Sequence, residues 1–150
     1  MWDCISRTTI DALAMADCLF SGLAPCDLAD YAPVCLEYCR ALEIQLNELL
    51  FTPFKNQADI CELANKNWNY KKFINDRDLT LGECIFLFEK CQARNYPTIE
   101  LLDFLKDQIP HCNKFLDIGI RIVKQLNIDI RRKAAHTTIM SDDELLDARQ

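Results

Sequence analysis

The sequence predicts an all-α protein, a helical bundle of about five to seven helices. Three observations point there. The 150 residues include only three glycines and five prolines, so little of the chain carries residues that break helices or make tight turns. Apolar residues recur at helical spacing in one window after another. Two sequences, Thr80-Leu-Gly-Glu83 and Ser141-Asp-Asp-Glu144, have the form of capping boxes. Half of the residues are hydrophobic, enough for one sizeable core, and residues 1–150 read as a single domain.

A first helix is expected over about Thr8–Ser21. Thr8 or Thr9 caps it, Ile10, Leu13, Ala14, Asp17 and Cys18 form its mostly apolar stripe, and Gly22 ends it. Leu23–Ala29, with Pro25, is a loop. Asp30 caps a second helix with Pro33 in its first turn, where a missing N–H costs nothing. Cys35, Tyr38, Cys39, Leu42, Leu46, Leu49 and Leu50 give it helical period. Thr52-Pro53 is expected to stop it, because a residue before proline is pushed out of the α region. A third helix over about Asn56–Ile74 has a thin apolar stripe and several asparagines. Its Trp68, Tyr70 and Phe73, beside Lys71 and Lys72, suit either an RNA-stacking surface or the anchoring of a loop onto the core; anchoring is the commoner use.

Thr80 opens a fourth helix to about Ala93. Its run Ile85-Phe86-Leu87-Phe88 implies burial nearly all round. Tyr96-Pro97 ends the connection that follows. Thr98 caps a shorter helix to about Gln108 through Leu101, Leu102 and Leu105, and Ile109-Pro110-His111 is a turn. Asn113 opens the longest helix, which runs to about Ala135. Apolar residues from Phe115 to Ile130 wrap more than half of its circumference. One stripe suffices to pack against a bundle, so the surplus implies a central helix or a partner surface such as a homodimer contact through residues 113–136. Ser141 begins a last helix that Gln150 cuts short. That reads as a domain cut from a longer chain, or as a frayed end.

No apolar run reaches the length of a membrane span, and Met1-Trp-Asp-Cys lacks the pattern of a secretory signal. A cytoplasmic protein is therefore expected. The nine cysteines form no C-x-x-C and are irregularly spaced, which argues against a zinc cage or a disulfide framework and for core-filling thiols in a reducing cell. No metal or other cofactor is implied.

The net charge is −6, and it is unevenly spread. Residues 1–50 hold eight acids and two bases; residues 114–136 hold six bases and two acids. An acidic body with one basic helix suggests a local anion site, while a solvated helix end with cations at its C-terminus accounts for the same charges. The basic helix closes on Asn127-Ile-Asp-Ile-Arg131-Arg132-Lys133-Ala134-Ala135-His136. This stretch gathers the groups that RNA cleavage by its own 2′-hydroxyl needs. Histidine near neutrality gives or takes the proton, and arginine holds phosphate oxygens in a fork. Neighbouring cations favour the neutral imidazole. In an unbroken helix Arg132 and His136 share a face at i,i+4, and Arg131 points elsewhere.

Ile130-Arg131-Arg132-Lys133-Ala134-Ala135-His136, closing a long helix and followed by Met140-Ser-Asp-Asp-Glu144, resembles the HEPN superfamily, whose signature is Arg-x4–6-His near the end of an all-helical bundle. Tyr31–Glu43 and Leu79–Glu83 look like recurrent segments of bacterial HEPN-like domains. Arg132 stands where the family often has a polar residue, commonly Asn. The resemblance implies catalytic Arg131 and His136, RNA phosphate contacts from Arg132 and Lys133, and one metal-independent endoribonuclease site completed across a dimer. It also implies a setting in toxin–antitoxin or antiphage systems, with an antitoxin or a fused effector domain as partner. Some members are inactive and serve as RNA-binding or interaction modules. In that second role Arg131 and His136 would be structural, salt-bridged for example to Glu37 or Glu43.

Overall fold

The computed structural model describes residues 5–23, 30–74, 77–93 and 98–135. Among them there is no strand, and the described residues form an all-α fold of seven helical runs. It divides into two compact units, residues 1–45 with 125–150 and residues 46–124.

The first unit contains α1 (Arg7–Leu23), most of α2 (Ala32–Leu46) and the end of the longest run. Ser6, not Thr8 or Thr9, caps α1: its Oγ accepts from the Thr9 amide at 3.0 Å. Gly22 does not stop the helix, which continues to Leu23. No described glycine takes a positive φ, so the left-handed cap that glycine favours is not used here. Residues 24–29 of the expected loop, including Pro25, lie outside the described residues. Asp30 is a cap as expected, accepting from the Ala32 amide at 3.0 Å.

The face of α1 that packs is rotated from the expected one, with Leu13 half-buried at their common edge. Thr9, Ala12 and Ala16 are buried, whereas Ile10 and Cys18 are exposed. Both sets have helical period. The smaller side chains let the helix approach its neighbours closely, and size decides where hydrophobicity does not. Ala41, Val34, Cys35 and Cys39 continue this small-residue core on α2, joined by Ile130 and Ala134.

In the second unit the residues are larger. Leu81, Leu87, Leu101 and Leu105 are fully enclosed. Phe51 and Phe88 stack with ring centroids 5.1 Å apart, Phe54 meets Phe73 at 5.4 Å, and Phe115 meets Phe88 edge-on at 5.5 Å. Such pairs add about 0.5–1.5 kcal/mol each beyond their buried area. Thr52-Pro53 does not terminate the helix. A π turn, Asn47–Phe51, precedes it, and the Thr52 amide reaches back five residues to the Asn47 carbonyl. The widened turn accommodates a residue that has no N–H to give, and α3 (Thr52–Gln57) follows with Pro53 at its start.

The expected third helix is broken into pieces. After α3, Asp59 caps α4 (Ile60–Lys66) by accepting from the Glu62 amide at 2.9 Å, and Asn67 caps a 3-10 helix, Trp68–Phe73. The asparagine-rich sequence caps short helices instead of continuing one. The aromatics divide: Tyr70 and Phe73 are buried anchors, while Trp68 is 61% exposed.

The capping box of α5 (Leu81–Gln92) is complete, with the Thr80 hydroxyl and Glu83 carboxylate each bonded to the other's backbone amide. Ile85, Leu87 and Phe88 are buried, but Phe86 is only half-buried. Thr98 precedes α6 (Ile99–Gln108), but its hydroxyl accepts from no amide of the first turn; Thr98 Oγ1 instead lies 3.0 Å from Cys91 Sγ. Residues 94–97, with Tyr96-Pro97, lie outside the described residues.

The longest run is continuous in helical backbone from Cys112 to Ala135: α7 (Cys112–Lys114), a π turn (Phe115–Gly119), α8 (Ile120–Leu126), a second π turn (Asn127–Arg131) and α9 (Arg132–Ala135). Cys112, Leu116, Ile120, Asn127, Ile130 and Ala134 are buried, at steps of three or four or their sum. Ile118 and Ile128 are exposed, and Ile122 is 63% exposed. The run buries one stripe and leaves isoleucines uncovered. The helix expected from Ser141 lies outside the described residues. No helix among the described residues is long and apolar enough to cross a membrane.

Candidate functional site

The basic end of the long run is shaped by the π turn Asn127–Arg131. Asn127 and Ile130 point inward, as does Ala134 one turn later, while Lys133 and Ala135 are exposed. Arg131 lies between these faces. Its side chain is 34% exposed, and its Nη2 stands 3.4 Å from Oε2 of Glu43 on α2, itself 24% exposed. Of the two acids named by the structural reading, Glu43 takes this contact. Glu37 faces Arg40 at 3.4 Å on its own helix.

One contact at 3.4 Å is long for a charge-assisted hydrogen bond and engages one of the guanidinium's five N–H donors. It fixes where the side chain points more than it adds stability; such half-exposed pairs contribute about 1 kcal/mol or less. A guanidinium oriented by one carboxylate and still carrying donors can hold a phosphate oxygen.

The Cys39 thiol lies in the same field. Burial, with the neighbouring Cys35 and Glu43, pushes it up to about 12 against the pull of Arg131. It is therefore a neutral thiol at physiological pH and no nucleophile. Burial pushes Cys91 up to about 11 in the second unit. Among the described residues no three His, Cys, Asp or Glu side chains gather as a metal ion would require.

Of the four residues that carry the sequence-based site, the structure places Arg131 and Lys133. Arg132 lies in α9, with its side chain outside the description, and His136 lies outside the described residues. His111, the other histidine, is exposed in the turn before α7 with φ 58°. The geometry thus brings Arg131 to Glu43, and the placement of Arg131 against His136 is not among the described contacts.

Sequence reasoning missed two features of this unit. Asn127 is only 6% exposed, and its Oδ1 has no hydrogen-bond partner. A polar residue at an inward register position was the available signal. The second feature is an open apolar groove of about 800 Å³ between α1 and α2, lined by Ile10, Leu13 and Ala14 from one side and Tyr38 and Leu42 from the other, with Leu126. The expected core stripe of α1 is its wall. Asp17 accepts a 2.6 Å hydrogen bond from the Tyr38 hydroxyl within it.

No family model, no curated protein and no solved structure matches the chain.

Proposed function

We propose that the chain is a HEPN-type metal-independent endoribonuclease domain acting in the cytoplasm, with Arg131 stabilising the phosphorane and His136 transferring protons. Arg132 and Lys133 hold flanking phosphates. The supporting observation is the half-exposed guanidinium of Arg131, oriented by Glu43 at the end of the longest helical run, with Lys133 exposed two residues on. One Arg and one His make half of a site. A second copy supplies the other half, and exposed Ile118, Ile122 and Ile128 on the same run provide apolar surface for it. An antitoxin or a fused effector domain is the partner that such a nuclease needs for control.

The Arg131–Glu43 pair also favours a second reading, a non-catalytic RNA-binding or protein-interaction module in which the arginine ties two helices together. Cleavage of varied RNAs in EDTA separates the two. On the nuclease reading the wild type cuts, and His136→Ala loses about 10²–10⁴-fold. Glu43→Gln, which releases the guanidinium but keeps the shape, leaves cleavage within about tenfold. An inert wild type, or a His136→Ala variant that cuts equally well, transfers the case to the module.

A further inference from the structure

Trp68 opens the 3-10 helix Trp68–Phe73 of the second unit and is 61% exposed. An exposed indole is unusual where its near neighbours are so firmly held. Tyr70 and Phe73, two and five residues on, are buried, and the Tyr70 hydroxyl donates to Glu100 Oε2 at 2.7 Å. Asn67 fixes the turn from the other end, accepting from the amide and side chain of Asn69 at 3.1 and 2.9 Å. The indole is thus mounted on a rigid turn, and ordering it for a ligand costs little entropy.

Its surroundings are aromatic and cationic. Phe86 of α5 lies 5.8 Å from Trp68, tilted by 51°. The ammonium groups of Lys72 and Lys90 both stand over the Phe86 ring, each 5.1 Å from its centroid. Lys71 is exposed beside them. Among the described ion pairs of these lysines the acid is Glu83, 3.5 Å from Lys72. Arg77 already holds that carboxylate in a fork, with two contacts of 2.8 Å. The local balance is therefore cationic in a protein of net charge −6.

We infer that Trp68, Phe86, Lys71, Lys72 and Lys90 form a stacking platform for single-stranded RNA, where a base lies on the exposed indole and the lysines meet the phosphates on either side. The choice of RNA over other polyanions rests on the proposed function. The platform itself rests on this geometry. Bases of every kind present a π-face, so the platform is tolerant of sequence, and its lysines make it salt-sensitive. The two lysines over Phe86 need no movement to serve, because a cation held on a ring face keeps its outer donors.

The test uses the full chain with Trp2→Phe, which leaves Trp68 as the sole indole. Single-stranded oligoadenylate RNA, added at low salt, quenches its fluorescence. Anisotropy of a labelled oligomer gives the affinity, expected to fall about tenfold or more with Trp68→Ala and to be largely restored with Trp68→Phe. Lys72→Gln together with Lys90→Gln lowers the salt dependence by about 1.4 in log–log slope. Polyphosphate, an acidic peptide and anionic vesicles serve as comparison ligands. Quenching by any of these equal to that by RNA, or a Trp68→Ala variant that binds RNA as well as its parent, overturns the platform. The same titration on His136→Ala separates this inference from the nuclease reading. Unchanged binding with lost cleavage supports both, binding without cleavage in the wild type supports the platform alone, and cleavage without quenching at Trp68 overturns the platform alone.

Discussion

The sequence Gln-Leu-Asn occurs twice, at residues 45–47 and 125–127, and each time the asparagine opens a π turn. Both asparagines are buried. There the likeness ends. Asn47 is satisfied at both ends of its amide: its Nδ2 donates to the Leu79 carbonyl at 2.8 Å, and its Oδ1 accepts from the Leu79 amide at 2.9 Å. Its turn also eases the helix past Pro53. Asn127 leaves its Oδ1 unpaired, and no proline follows its turn. The first π turn has a complete structural reason. The second carries an unmet polar group four residues before Arg131. Widened turns inside α-helices are frequent at functional sites. The contrast sets the two turns apart: one asparagine pins a neighbouring segment, and the other leaves a buried oxygen unpaired among the described residues.

The largest test of that contrast is Asn47→Leu. It strips both partners from the buried Leu79 backbone, and each buried backbone group left unpaired costs about 1–3 kcal/mol. The Cys84 thiol, 3.8 Å from the Leu79 carbonyl, replaces little of this. A loss of about 2–4 kcal/mol in urea unfolding is expected. A loss below about 1 kcal/mol would mean that the asparagine does not pin Leu79, and the contrast between the two turns would fail on its stronger side.

Most of this architecture was legible where the signal is local. The capping box at Thr80 and Glu83 follows from local spacing, and the long helical run follows from its apolar period; both are present, the run through Ala135, the last described residue, though it starts at Cys112 and Asn113 lies inside it. Three things were not. On α1, Thr9, Ala12 and Ala16 compete with Ile10, Leu13 and Ala14, and periodicity ranks the larger set first although the smaller one packs. At Thr52-Pro53 the local rule predicts a stop, and a change of hydrogen-bond spacing five residues upstream defeats it. In the candidate site, Arg131 and Glu43 are 88 residues apart. Charge identifies both as partners for something, but only the fold chooses between Glu37 and Glu43.

An intermediate effect comes from the segment that Asn47 holds in place. The Arg77 fork, with the Thr80 amide and hydroxyl, holds the Glu83 carboxyl down at about 2, against an ordinary value of 4.5. A folded-state value below the unfolded one means that the carboxylate's contribution is present above pH 4.5 and disappears as pH falls towards 2. Glu83→Gln keeps a capping residue but loses the charge held by Arg77, and should destabilise the protein by about 1 kcal/mol at pH 7, allowing for the exposed partner. The difference from wild type should shrink across that acid window in unfolding curves taken at successive pH values. A difference that stays constant from pH 7 to pH 2 would remove the capping box and its fork as the cause.

The smallest expected effect is at the other asparagine. Asn127→Leu removes a carbonyl oxygen that has no partner among the described residues, so it should cost no more than about 1 kcal/mol, and relief of the desolvation penalty can make it stabilising. That outcome, against the large loss at Asn47, would establish that two buried asparagines in the same local sequence serve different ends. Sedimentation of Asn127→Leu over a range of concentrations should show self-association unchanged, because the oxygen is buried within the chain and no second copy reaches it. A loss of about 2 kcal/mol or more at high dilution would instead mean that the oxygen is satisfied within the isolated chain. The second π turn would then be as structural as the first.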